Sequence, residues 1–278
     1  MKPIRIGVIG CGVIANSAHY PALAKTSSFD LVAVCDILED RAAKAAEQFG
    51  VGKMYTEASE LIADNRIDAV IFALPAGVRT PLVYRALKQG KHVLVEKPSA
   101  GTVAEMDRFA ALAGSATAAF CSPRFTFTQS AAIAADAVKS GALGRIREVR
   151  AFITVAAGKP PAKTPPPWRE SFSLNGGGIL MNWGCYDLDY LLWVAGDVLT
   201  PKEVFAHWWP VSEAMSDRVG PEGDADAHYS AAVRCEGNIL LSIERAEFSS
   251  MESQAAWQII GDRGSLSLNL MPGQEKRF

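Results

Sequence analysis

Short apolar runs alternate with amphipathic segments through the first part of the chain, and each change of rhythm predicts a change of element. Residues 4–9, 31–35, 69–73, 92–95 and 117–121 are β-rich and almost wholly apolar. They suit parallel strands, which are covered on both faces and so need no alternating polar positions. Between them, residues 14–26, 39–49, 59–64, 80–89 and 103–113 carry apolar side chains at helical spacing. Strand and helix in regular alternation predict an α/β domain over residues 1–121, built as a doubly wound parallel sheet.

Beyond residue 121 the rhythm differs. Residues 130–140 read as a helix closed by Gly141, and 147–155 as a strand. A proline-rich loop, GKPPAKTPPPW, follows, where proline stiffens the chain and blocks sheet pairing. Three glycines, Gly176 to Gly178, then precede a helix running to Val194. Residues 203–210, 227–235, 238–248, 255–260 and 265–270 read as successive strands joined by tight turns such as EGN and GDRG. The prediction for 122–278 is an α+β domain with an open, mostly antiparallel sheet backed by helices.

Composition narrows the function classes. With 278 residues the chain suits two domains, and 49% hydrophobic content supports a buried core. A net charge of -2 spread without like-charged blocks argues against nucleic-acid and anionic-membrane partners. No apolar run reaches the length of a membrane span. The start, MKPIRIGVIGCGVIA, has the outline of a signal peptide, but its glycines fit a strand and turn better. Five cysteines without a C-x-x-C pair read as reduced thiols, so a cytoplasmic protein is expected. His19, His92, His207 and His228 show no metal-ligand spacing, and no metal is expected.

The first chemical signal is Gly10-x-Gly12-x-x-Ala15, directly after the first strand and opening a helix. Glycine permits the tight turn and the close approach of backbone to a pyrophosphate, whose charge the helix N-terminus would receive. A small Ala15 lets that helix pack against the strand. Asp36 closes the second strand, where a carboxylate can accept hydrogen bonds from a ribose diol; it could equally serve a turn. No basic residue follows Asp36 immediately, which favours NAD over NADP.

The second signal is GKHVLVEKPSA. Lys97 emerges at the carboxyl end of a buried strand, where open α/β sheets hold their ligands. Here the sequence resembles the glucose–fructose oxidoreductase/inositol dehydrogenase (Gfo/Idh/MocA) family. The matches are G-x-G-x-x-A, E-K-P after G-K-H-V-L, Leu74-Pro75, Arg124-Phe125, Leu143-Gly144-Arg145-Ile146, Trp168-Arg169, the glycine run and Gly261–Ser265, in order along nearly the whole chain. The resemblance implies a Rossmann domain, a second, substrate-binding and oligomerising domain, and nicotinamide-dependent oxidation or reduction of sugars, polyols or related compounds. It assigns Gly10, Gly12, Val13, Ile14, Ala15, Asp36, Leu74, Pro75, Glu96, Lys97, Trp168 and Arg169 to the cofactor. Lys97, Arg124, Asn182 and Tyr186 fall to the substrate.

In the family the glycine run leads into D-x-G-x-H-x-x-D. This chain has Asn182-x-Gly184-x-Tyr186-x-x-Asp189, so asparagine replaces the first aspartate and tyrosine the usual histidine. Some family members carry that tyrosine. A free phenol has a pKa of about 10, and removing its proton at pH 7 costs about 4 kcal/mol, a cost that a neighbouring Lys97 ammonium lowers. In the reductive direction the neutral phenol donates its proton. Lys97, Tyr186 and Asn182 are therefore the expected catalytic residues, with Asn182 either holding a hydroxyl or capping a helix.

Two more departures bear on the reading. Leu74-Pro75-Ala76-Gly77-Val78-Arg79 stands for the family's T-P-N-x-x-H; Arg79 could meet a carboxylate or phosphate, but the expectation is that it faces solvent. The chain ends at Phe278, before the family's usual last elements, so a final strand and closing helix are expected to be lacking. These departures keep a second reading in view, a sugar- or nucleotide-sensing protein without turnover. Trp208 and Trp209 are expected to cover the second sheet and to join a homodimer or homotetramer through it.

Overall fold

The computed structural model describes residues 2–121, 124–163, 166, 168–220 and 223–270. The chain divides into two compact units, Met1–Cys121 and Ser122–Phe278.

In the first unit six strands form one parallel sheet: β1 (Ile4–Ile9), β2 (Phe29–Cys35), β3 (Met54–Tyr55), β4 (Ala69–Phe72), β5 (His92–Val95) and β6 (Ala118–Phe120). Their order is β3-β2-β1-β4-β5-β6, every neighbouring pair parallel. The order reverses between β1 and β4, and that switch point opens the crevice where doubly wound sheets bind ligands. Val8, Val34, Phe72 and Val95 are wholly buried. Burial of each is worth about 1.5–3 kcal/mol.

The helices are α1 (Tyr20–Leu23), α2 (Glu39–Phe49), α3 (Ala58–Ala63), α4 (Ala76–Lys88) and α5 (Val103–Ala113). Thr102 and Glu105 close a capping box on α5, at 3.2 Å in each direction. Helix α4 starts at Ala76, earlier than the sequence predicts. Pro75 stands as its N-cap and Pro81 lies inside it. An internal proline forfeits one helical hydrogen bond, and read alone it marks a start. The two-residue β3 is too short to leave a periodic signal.

The second unit contains a six-stranded mixed sheet, ordered β12-β11-β7-β10-β9-β8. Its strands are β7 (Ile146–Ala156), β8 (Pro201–Trp209), β9 (His228–Cys235), β10 (Ile239–Ser249), β11 (Gln254–Gly261) and β12 (Ser265–Leu268). Only β7 and β10 pair in parallel; the other neighbours are antiparallel. Alternate residues Val149, Ala151 and Ile153 of β7 and Leu241 and Ile243 of β10 are buried, the period of two that one covered face requires. Helices α6 (Gln129–Lys139) and α8 (Cys185–Ala195) contribute Ala131, Ala134, Leu191 and Val194 to that core; the short α7 spans Phe172–Asn175. Of the proline-rich loop, residues 164, 165 and 167 lie outside the described residues.

Two motifs far apart in sequence interlock. Arg145 N donates to Asp262 Oδ1 at 2.9 Å, and Arg263 N donates to the Leu143 carbonyl at 3.0 Å. A side chain on Gly261 would lie 2.0 Å from that carbonyl oxygen. The LGRI and GDRG stretches are thus two halves of one structural joint.

Candidate functional site

The residues expected at the site fall in both units. In the first, the turn after β1 is bound to the end of β2. Gly10 has φ +98°, and a Cβ there would sit 2.3 Å from the Ala73 carbonyl oxygen, so only glycine fits. Gly12 differs: nothing lies within 4 Å of the position its Cβ would take. Asn16 Nδ2 clamps the turn, donating to the carbonyls of Cys11 and Gly12 at 2.8 Å each. Ala15 is wholly buried and opens a π-turn, Ala15–His19, that runs into α1. Such turns often sit at functional sites.

Asp36 serves the turn from inside. Its carboxylate accepts the Cys11 N–H on Oδ2 and the Leu38 N–H on Oδ1, both at 2.9 Å. It does not cap α2, whose N-cap is Leu38. Each carboxylate oxygen has a second lone pair, so a diol could still be accepted. Val13 and Ile37 leave 85% and 87% of their surface bare on either side of this turn. An open Gly12, a carboxylate with spare acceptors and two exposed aliphatic side chains fit the phosphate, ribose and adenine of a dinucleotide.

Leu74 and Pro75 follow β4 across the switch point. The Leu74 carbonyl accepts Arg79 Nη1 at 2.8 Å, and Arg79 is wholly buried. The expectation that Arg79 faces solvent is corrected: its guanidinium shapes the loop ahead of α4. Glu96 and Lys97 follow β5. Glu96 is buried, taking His19 Nε2 at 2.9 Å on Oε1 and the Lys97 N–H at 3.1 Å on Oε2. Burial pushes this carboxyl up, but the His19 hydrogen bond and charge and the Lys97 N–H outweigh it, leaving the carboxyl below its ordinary value. The Cys121 sulfur joins the pair, with donor atoms of all three within 4.8 Å of one another. Such a set could hold a divalent cation, a grouping that histidine spacing in the sequence does not reveal.

In the second unit, Asn182 and Tyr186 are both buried, at 8% and 6% exposure. Asn182 falls inside another π-turn, Leu180–Gly184, and α8 starts one residue later and carries Tyr186. The turn's N-cap is Ile179, so the helix-capping reading of Asn182 is set aside. Tyr186 packs between Phe125 and Trp183, with ring centroids 5.3 and 5.4 Å away. Arg124 reaches over its ring at 5.9 Å. Arg124, Asn182 and Tyr186 thus belong to one neighbourhood of this unit. Trp168 is half-buried, and Arg169 lies 3.6 Å from a carboxylate oxygen of Glu247.

The glycine run has a cause of its own. Gly178 N and Leu180 N donate to the two carboxylate oxygens of Asp226 at 2.8 Å, and Ile179 N donates to its carbonyl at 2.7 Å. A Cβ on Gly178 would stand 1.9 Å from that carbonyl oxygen. Bare backbone is needed there to reach Asp226, a close approach inside this unit that neither a flexible loop nor a bound ligand is required to explain.

Sequence reasoning missed a buried ion pair. Asp187 and Arg245 pair in the core beside Trp257, whose Nε1 also donates to Asp187 at 2.8 Å. Their separation along the chain, 58 residues, leaves no local signal. Glu170 is also buried, and desolvation pushes its carboxyl up to about 7 against the weaker pull of Arg169.

Among the described residues no helix is long and apolar enough to cross a membrane. Residues 4–122 match the family model described as "Oxidoreductase family, NAD-binding Rossmann fold", and residues 132–267 match "GFO/IDH/MocA C-terminal domain". The chain is 29% identical over 97% of its length to dTDP-3,4-didehydro-2,6-dideoxy-alpha-D-glucose 3-reductase of Streptomyces violaceoruber, covering 73% of that protein. It is 30% identical over 80% of its length to myo-inositol 2-dehydrogenase of Thermotoga maritima, covering 63% of it. Among solved structures it resembles GenD2 from gentamicin A biosynthesis in complex with NAD. That match has a TM-score of 0.83 and 22% identity, covering 98% of this chain and 74% of that one.

Proposed function

The chain belongs to the GFO/IDH/MocA family of NAD-binding oxidoreductases, and from that premise we propose that it oxidises or reduces a sugar, polyol or related hydroxy or carbonyl compound. The first unit would hold the nucleotide and the second the substrate. The relatives named above support the substrate class, since one is named for a sugar and one for a cyclic polyol. The observation that carries the cofactor half is the open position at Gly12 beside Asp36, whose carboxylate is tied to the turn's own Cys11 N–H.

Gly10, Gly12, Val13, Ile14, Ala15, Asp36, Leu74, Pro75, Glu96 and Lys97 would hold the cofactor, with Trp168 and Arg169 contributing from the second unit. When bound, NAD supplies the hydride acceptor, and its reduced form the donor. Tyr186 moves the proton: in reduction its hydroxyl protonates the oxygen whose carbon receives hydride, and solvent reprotonates the phenolate. Lys97 holds that oxygen and stabilises negative charge on it and on the phenolate. Asn182 and Arg124 orient neighbouring substrate hydroxyls.

A direct trial mixes the protein and NADH with aldoses, ketoses, inososes and dicarbonyls and follows the nicotinamide absorbance. Turnover with at least one class, slowed about 10²–10³-fold in Lys97→Met, is the expected result. A second reading, ligand sensing without turnover, draws on the 6% exposure of Tyr186, and NADH binding with no oxidation across the panel would establish it.

We also propose homo-oligomer formation through the second sheet. Every residue of β8 is exposed, including Val204, Phe205, Trp208 and Trp209. Apolar strips of that kind mark contact surfaces. Phe205→Glu is expected to lower the mass measured by light scattering, and an unchanged mass would remove this surface from consideration.

A further inference from the structure

Between the nucleotide turn and Lys97 runs a short chain of hydrogen bonds inside the first unit. The Glu96 N–H donates to the Phe72 carbonyl at 3.1 Å, the last sheet-like bond before the chain leaves β5. Lys97 comes next, and its N–H is taken by the side chain of Glu96 at 3.1 Å. That side chain is held in turn by His19 Nε2 at 2.9 Å, with both side chains 11% exposed. His19 is the last residue of the π-turn that follows Gly10-x-Gly12.

We infer that His19 is a positioning residue: it fixes the Glu96 carboxylate, and the carboxylate fixes the backbone from which the Lys97 side chain departs. The inference rests on the role given to Lys97 above. An ionised carboxylate accepts only, so His19 carries its hydrogen on Nε2. Remove the imidazole, and Glu96 Oε1 is left buried with one partner fewer. The carboxylate then turns toward water and releases the Lys97 N–H. An ammonium displaced by about 1 Å costs about a hundredfold in rate. The same link makes the helical run that opens the nucleotide site a support for the reacting lysine.

The experiment measures kcat, KM and NADH affinity for wild type, His19→Leu, His19→Gln, Lys97→Met and the Lys97→Met/His19→Leu pair. His19→Leu is expected to lower kcat about a hundredfold, with a smaller loss of NADH affinity. His19→Gln, which retains an N–H near the Nε2 position, is expected to recover most of the loss. In the Lys97→Met background His19→Leu is expected to cost nothing further, because residues acting through one another are not additive. Should His19→Leu not fold, Glu96→Gln serves in its place, with the same loss of kcat and the same lack of effect beside Lys97→Met.

An unchanged kcat in His19→Leu overturns the inference, as does an equal loss with and without Lys97. Loss of wild-type rate on dialysis against a chelator, restored by zinc, also overturns it, since His19, Glu96 and Cys121 would then hold a cation. These three results leave Lys97 in its proposed role. Full activity in Lys97→Met removes that role, and this inference with it.

Discussion

Arg245 and Asp187 form a two-bond ion pair inside the second unit, Nε to Oδ2 at 2.7 Å and Nη2 to Oδ1 at 3.0 Å, with side-chain exposures of 6% and 0%. The guanidinium also lies 5.2 Å from the Trp183 ring. The pair pins α8, which carries Tyr186, to β10. Breaking it by Arg245→Met strands a carboxylate with Trp257 as its remaining donor among the described residues, at an expected cost of about 3–5 kcal/mol. The thermal midpoint should fall by about 10 °C. The double variant Asp187→Leu/Arg245→Met should recover most of that, because no buried charge remains. A single variant as stable as wild type would show that the pair does not hold α8.

Glycine substitutions should separate folding from binding. Gly12→Ala meets open space and should leave the unfolding midpoint unchanged, while weakening NADH binding about tenfold or more, ~1.4 kcal/mol. Gly178→Ala drives a methyl group against the Asp226 carbonyl and should cost about 3 kcal/mol or more. Fluorescence titration and thermal unfolding of both proteins provide the check. Normal NADH affinity in Gly12→Ala would remove the pyrophosphate from that turn.

Glu170 predicts a pH dependence of stability. Its Oε2 has no hydrogen-bond partner among the described residues, and its carboxyl titrates near 7 rather than 4.5. Between those values the folded chain keeps a proton that the unfolded chain has lost. Stability from this group is therefore complete below pH 4.5, declines as pH rises through about 7, and is flat beyond. Glu170→Gln lacks that slope. Its advantage over wild type should grow from pH 5 to pH 8, approaching about 3 kcal/mol in denaturant unfolding. An advantage constant with pH would place the ordinary carboxyl pKa there.

The parts legible in the sequence are those encoded by local periodicity. Bounds such as Ile4–Ile9, Glu39–Phe49 and Val103–Ala113 coincide with the predicted spans, because an apolar run or stripe and its bounding glycines or caps lie side by side in the chain. Gly10 was legible for the same reason, as a turn residue directly after a strand. What escaped depends on distance. Arg79 reads as a surface cation until the Leu74 carbonyl is seen beside it, and His19 as a lone histidine until the sheet brings Glu96 to it. The steric reason for the glycine run is Asp226, 48 residues on. Motifs carried by resemblance mixed both kinds, since LGRI and GDRG brace each other across the fold.

The central claim is that Tyr186 supplies the proton in a hydride transfer, and single-turnover oxidation of bound NADH by Tyr186→Phe tests it most directly. With a carbonyl substrate identified from the panel, the account predicts oxidation slowed by about 10²–10⁴-fold while NADH affinity stays at the wild-type value. Oxidation at the wild-type rate in Tyr186→Phe would contradict it.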